Sequence, residues 1–205
     1  MTTITFSHLF FDVGGVLGTD GWDHAQRGAA AVHFGIDRDD MEERHQAVAG
    51  MLEQGRIGLD DYLRATVFHT PRAFGLDDFK AFMREQSVPD AGSLELARSL
   101  ARTGRYRLMT LNNESDELNR WRIEHFGLRG TFSAFFTSCW IGIAKPAPRI
   151  YELALAMSQA EPAASVFIDD RERNLEPARA LGMHAILFRG ADALRAELME
   201  VGVTA

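Results

Sequence analysis

Residues 8–15 read HLFFDVGG and residues 165–171 read SVFIDDR. Each is a short apolar run that stops at aspartate, the form of a buried strand ending in a polar turn. Three more runs resemble them. Tyr106–Leu111, YRLMTL, stops at Asn112-Asn113; Ala134–Ser138 reads AFFTS and His184–Phe188 reads HAILF. Helical patterns lie between the later runs, at Leu94–Leu100, Glu114–Phe126, Pro148–Met157 and Asn174–Leu181. Pro148 suits a first helical turn and Gly182 a helix end. Strands alternating with helices predict an α/β fold, a doubly wound parallel sheet with ligands beyond the C-terminal ends of its strands.

The stretch from about Gly18 to about Pro89 departs from this alternation. It shows helical periodicity, clearest over Met41–Gln54 and Leu59–Phe68, and no convincing buried strand. It is too long for a simple crossover. The expected organisation is a core of residues 1–17 and 90–205 with a helical cap of residues 18–89. Met41, Met51 and Leu52 are expected to form the cap's own core, with Gln54-Gly55-Arg56 as a loop near substrate.

The chain has 205 residues, 46% hydrophobic and 25% charged, with a formal net charge of -7. The acidic residues are dispersed and no basic stripe is present, so nucleic acid is not an expected partner. The lone cysteine, Cys139, cannot form an internal disulfide or a cysteine-based zinc site. The N-terminal MTTITFSHLFFDV does not read as a signal peptide, and no apolar run approaches membrane-span length. The expected compartment is the cytoplasm, with no membrane partner. No G-x-S-x-G elbow, H-E-x-x-H or P-loop occurs, and the seven histidines do not cluster.

Chemistry concentrates at the strand ends. Asp12 follows the first run, Asn112 and Asn113 the second, Asp169 and Asp170 the fourth, and Lys145 precedes the helix opened by Pro148. Taken singly, an Asp before Gly-Gly is usually a turn residue, Asn-Asn a cap, and Lys before Pro a solvated side chain. Two adjacent carboxylates are different, because they repel unless a cation sits between them. Together these residues could hold a hard divalent ion on oxygen ligands, balance a phosphate with lysine, and contact phosphate oxygens through amides and turn N–H groups. Such a site suits phosphoryl transfer.

FFDVGGVL, LMTLNNES, IAKPAPRIY and VFIDDRERN resemble, in order and spacing, the four motifs of the haloacid dehalogenase (HAD) superfamily, with its Rossmann-like core and its cap after the first strand. GIAKP and FIDDRERNLEPARALGMHAI are similar to the branch containing the phosphatase domain of soluble epoxide hydrolases and sugar-phosphate phosphatases. The resemblance implies a Mg2+-dependent phosphatase acting on a small phosphorylated metabolite. Asp12 would be the nucleophile that forms an aspartyl-phosphate, and Lys145 would bridge nucleophile and phosphate. Asp12, Asp169, Asp170 and the Gly14 carbonyl would hold the metal. Asn112, Asn113 and the turn at Gly14 and Gly15 would bind phosphate.

One departure matters. The family's phosphatases usually carry an acid/base Asp two residues after the nucleophile, and here that position is Gly14. The expectation is then either a substrate with a good leaving group, such as a sugar 1-phosphate or acyl phosphate, or a surrogate carboxyl, Glu114 or Asp20. Two rival readings are a metal-independent 2-haloacid dehalogenase, opposed by the Asp169-Asp170 pair, and a catalytically weak phospho-ligand binder, favoured by Gly14. Trp22, Asp23 and His24, just past the nucleophile strand, are further candidates for the pocket wall.

Overall fold

The computed structural model describes residues 5–205; residues 1–4 of the N-terminal segment lie outside the described residues. Five strands form one parallel sheet: β1 (His8–Phe11), β2 (Arg107–Asn112), β3 (Ala134–Thr137), β4 (Ser165–Asp169) and β5 (His184–Leu187), in the order β3-β2-β1-β4-β5. β1 lies in the middle, with Phe11 opposite both Thr110 and Ile168.

Alternation along the strands explains their continuous apolar runs. Leu9, Phe11, Leu108, Val166 and Ile168 face one way, into a core completed by helices α5 (Ala91–Arg102), α6 (Asp116–His125) and α10 (Ala191–Glu200). Phe10, Met109, Leu111 and Phe167 face the other way, onto α8 (Pro148–Ser158) and α9 (Glu172–Ala180). With both faces covered, a polar group buried there without a partner is costly. Between β3 and α8 stands the single turn α7 (Ser138–Ile141).

The segment after β1 contains α1 (His24–Phe34), α2 (Arg38–Glu53), α3 (Leu59–Thr66) and α4 (Leu76–Glu85). Ala30, Met41, Leu52, Tyr62, Leu63, Phe79 and Met83 make a separate apolar core there, joined by Leu118 of α6. Met51 does not belong to it. It sits 41% exposed on the outer side of α2, one residue out of phase with Leu52, so its expected core place is corrected. The connections at the base of this segment pair antiparallel, with Thr19 N–H donating to Val88 O (2.9 Å) and Asp90 N–H to Leu17 O (2.9 Å). Among the described residues no helix is long and apolar enough to cross a membrane.

Candidate active site

The strand order reverses direction between β1 and β4, which opens a crevice at their C-terminal ends. Asp12 is the first residue beyond β1 and Asp169 the last of β4. The Asp12 N–H donates to Ile168 O (2.9 Å), so the sheet itself sets the two carboxylates side by side. Lys145 enters from the loop before α8, with Nζ 3.0 Å from Asp12 Oδ2 and 2.6 Å from Asp169 Oδ2. Its placement has a definite cause. Asn113 receives the Lys145 N–H on Oδ1 (2.8 Å) and donates Nδ2 to the Lys145 carbonyl (2.9 Å), clamping that residue's backbone from both ends.

Burial pushes the Asp12 carboxyl up to about 8; Lys145 opposes this and Asp169 adds to it. Burial disfavours the Lys145 ammonium, yet Asp12 and Asp169 together hold its pKa above the ordinary lysine value. Asp170 is raised by burial and then by Asp169 and Asp20, with Arg171 pulling the other way. Three carboxylates against one lysine leave excess negative charge.

Oxygens of Asp12, Asp169 and Asp170 all lie within 4.8 Å of one another. Asp170 Oδ1 is buried and has no hydrogen-bond partner among the described residues. A buried carboxylate oxygen without a donor is costly, and an all-oxygen cluster of this charge fits a hard divalent cation such as Mg2+. The residues present therefore fit that metal. Asp169 is the most committed of the three, taking Arg171 N–H (2.9 Å), Asn174 Nδ2 (2.9 and 3.1 Å) and Lys145. Asp12 and Asp170 keep the freer oxygens. Gly15 admits Asp170: its φ is +75°, and a Cβ there would lie 2.4 Å from Asp170 Oδ2.

Two expected phosphate contacts are corrected. Asn112 faces away from the crevice, because strand alternation turns it under α6. Its Nδ2 donates to Asn119 Oδ1 (3.0 Å), and its Oδ1 accepts from Thr137 Oγ1 (3.3 Å). The Gly15 N–H is taken by the Gly18 carbonyl (2.8 Å), which closes the turn. Gly14 and Asn113 do line the cavity.

The cavity holds about 400 Å³ between crevice and cap. Gly14, Asp20, Glu114 and a residue the sequence reading missed, Arg122, stand together on its wall. Arg122 is 2% exposed; its Nη1 lies 3.4 Å from Glu114 Oε2, Nη2 donates to Asp20 O (2.8 Å) and Nε to Ser87 Oγ (3.1 Å). Glu114 Oε1 accepts the Ser115 N–H (2.8 Å). Asp20 Oδ1 is paired with Arg171 (3.1 Å). Asp20 thus lies beside Gly14, Glu114 lines the same cavity, and each already has an arginine.

From the cap come Trp22, Asp23, Arg27, His45, Leu52 and Glu53. Trp22 and Asp23 stand where the sequence placed them. His24 does not: it turns outward to Glu42 (3.3 Å), because Asp23 caps α1 and starts the helix with His24 facing solvent. Gly55 and Arg56 line a different cavity, against Cys139 and Trp140 of α7. The expected loop near substrate therefore packs on the core beside the crevice. Burial raises the Cys139 thiol to about 12, so it is no nucleophile at neutral pH.

A model of haloacid dehalogenase-like hydrolases matches residues 6–182. The chain is 32% identical over 135 residues to bifunctional epoxide hydrolase 2 of Rattus norvegicus, covering 64% of this chain and 24% of that protein. It thus spans about a quarter of that relative's length. A D-ribitol-5-phosphate phosphatase of Bacteroides thetaiotaomicron is 23% identical over 185 residues, covering 85% of this chain and 88% of its own. A HAD family enzyme of the same organism, solved in complex with magnesium and inorganic phosphate, superposes with a TM-score of 0.73 at 22% identity, over 88% of this chain and 93% of its own.

Proposed function

The chain belongs to the haloacid dehalogenase-like hydrolases, and we propose that it is a Mg2+-dependent phosphatase of small phosphorylated metabolites with Asp12 as nucleophile. The observation that carries this reading is the junction of β1 and β4. Asp12, Asp169 and Asp170 converge there, one buried oxygen of Asp170 lacks a donor, and Lys145 bridges the first two.

Phosphoryl transfer needs positioning and charge neutralisation more than covalent chemistry from the protein. Asp12 lines the cavity beside Lys145 and would attack phosphorus in line with the leaving oxygen. Lys145, held by Asn113 and Asp169, would neutralise the incoming phosphate and the nucleophile at once. Bound Mg2+, held by Asp12, Asp170 and the Gly14 carbonyl with Asp169 behind them, would supply further neutralisation and orient the phosphate. Its charge would also draw the Asp12 pKa down from its raised value. Residues 18–89, with an apolar core largely their own, are read as a cap over the substrate.

The dehalogenase reading would leave Asp169 and Asp170 opposing an anionic substrate without a compensating ion. The binder reading rests on Gly14 and predicts Mg2+-dependent ligand binding without turnover. The discriminating experiment is phosphate release from a panel of monoesters, including sugar 1-phosphates and alkyl phosphates, with Mg2+ and with chelator, beside Asp12→Asn. Mg2+-dependent release that vanishes in Asp12→Asn supports the phosphatase; turnover that persists in chelator overturns it.

A further inference from the structure

Five carboxyl side chains line the cavity, those of Asp12, Asp20, Asp23, Glu53 and Glu114. Four are engaged. Asp12 meets Lys145, Asp20 and Asp23 share Arg171, and Glu114 is held by Arg122 and Ser115. Glu53, on the last turn of α2, forms no hydrogen bond or ion pair among the described residues, although its neighbours include four charged groups of the core. It enters the cavity from α2, and Gly14, which has no side chain, lines the same cavity.

Resting on the phosphatase reading, we propose that Glu53 is the proton-transfer residue of this site, supplied from the cap in place of the side chain that Gly14 lacks. As the Asp12 Oδ–phosphorus bond forms and the ester oxygen–phosphorus bond breaks, the Glu53 carboxyl gives its proton to the departing alkoxide. The resulting carboxylate then takes a proton from water as the water oxygen attacks phosphorus. The Asp12–phosphorus bond breaks, and inorganic phosphate, free Asp12 and protonated Glu53 result. The alcohol leaves neutral, and protons and charges balance over the cycle.

The surroundings agree with this role. Burial, and then the Glu114 carboxylate, push the Glu53 carboxyl above the ordinary glutamate value, against weaker pulls from Arg171, Arg173 and Lys145. His45 of α2 and Arg27 of α1 share the cavity from the cap side, but Arg27 is committed to Glu42 (2.8 Å) and His45 to Tyr62 (2.8 Å). A carboxyl that keeps its proton nearer neutrality serves better as a general acid at working pH. No motif marks Glu53, because it reaches the site only when the cap folds over the sheet.

The test compares wild type and Glu53→Gln on two esters, an alkyl phosphate with a poor leaving group and p-nitrophenyl phosphate with a good one, each with Mg2+. Glu53→Gln should lower kcat/KM, which reports the steps up to departure of the alcohol, by roughly 10²–10⁴-fold on the alkyl ester and by far less on the aryl ester, whereas kcat should fall on both because the water attack is common to them. A fall of alkyl-ester kcat/KM with rising pH is expected in wild type and should disappear in the variant. Glu53→Asp should recover part of the alkyl-ester rate, and unchanged thermal melts check that both variants fold. Equal kcat/KM for wild type and Glu53→Gln on the alkyl ester would overturn the proposal while leaving the phosphatase standing, as would an equal loss of kcat/KM on both esters. Wild type releasing phosphate from no ester would overturn the phosphatase reading and this proposal with it.

Discussion

At the scale of single residues, Gly14 and Arg122 define what is unusual here. A Cβ on Gly14 would sit 3.4 Å from the Asp20 backbone and 3.5 Å from Arg122 Nη1, ordinary contacts. Gly14→Asp should therefore fold. In the Glu53→Gln background it should restore at least about tenfold of the lost alkyl-ester turnover, since a positioned acid contributes roughly 10²–10⁴-fold; steady-state kinetics would show it. Arg122 is less forgiving. Replacing it with Met would leave Glu114 nearly buried without its counterion, and removing one partner of a buried pair costs about 3–5 kcal/mol. Chemical denaturation should register that loss. Gly21 is tied to the same side chain: its φ is +78°, and a Cβ there would overlap Arg122 Nη2. Asp12 was legible from sequence because it sits at a strand end next to turn residues, and Lys145 because it stands in the GIAKP run before the helix opened by Pro148. Arg122 was not, because one arginine on a charged helix looks like any other until its buried neighbours are known.

Loops and helices set the geometry those residues use. The loop carrying Lys145 depends on Asn113 rather than on its own sequence. Asn113→Ala should lower kcat by at least about tenfold, since small misplacements of catalytic groups are expensive. It should leave metal affinity nearly unchanged, because Asn113 touches no carboxylate of the cluster; isothermal titration with Mg2+ would separate the two effects. The cap is fastened to the core by an ion-pair group between α4 and α6. Glu117 takes Lys80 (2.8 Å) and Arg84 (2.6 Å), and Lys80 also meets Asp60 of α3. These groups are partly exposed, so Glu117→Gln should cost no more than about 1 kcal/mol of global stability. Hydrogen exchange should nevertheless quicken in α4, where the fastening is lost. Helices α2, α3, α5, α6, α8 and α9 were legible from their apolar spacing. The sequence reading did not single out α1, α4 and α10. In α10 only Leu194 and Leu198 are buried, too narrow a stripe to stand out.

Across the whole molecule, stability should depend on pH through the crevice. Asp12 has its folded pKa raised to about 8, from an ordinary value of 3.8, with burial as the main cause. Relative to alkaline solution, that group contributes stability that is complete below about 4 and lost as pH rises through about 8. Metal-free protein should melt at progressively lower temperature from pH 5 to pH 9. Mg2+ should offset the fall, because binding to the folded state stabilises it by mass action. Asp12→Asn should flatten the metal-free profile and abolish turnover. A metal-free melting temperature independent of pH would contradict this account of the crevice.

The sequence alone determined the sheet and the chemistry at its strand ends. Short apolar runs with one polar terminus have few other folded solutions, and the residues at those termini lie along one edge of any parallel sheet built from them; the strand order then decides which of them meet. The helical character of residues 18–89 was legible for the same reason, since periodicity is local. Tertiary structure alone decided what comes together across long separations: Glu53 into the cavity that Gly14 also lines, Arg122 against Glu114 and Asp20, and Asn113 on Lys145. It also turned Asn112 under α6 and gave the Gly15 N–H to Gly18. Those outcomes follow from packing and from the need to satisfy buried polar groups, which depend on every neighbour at once and leave no periodic trace in the chain.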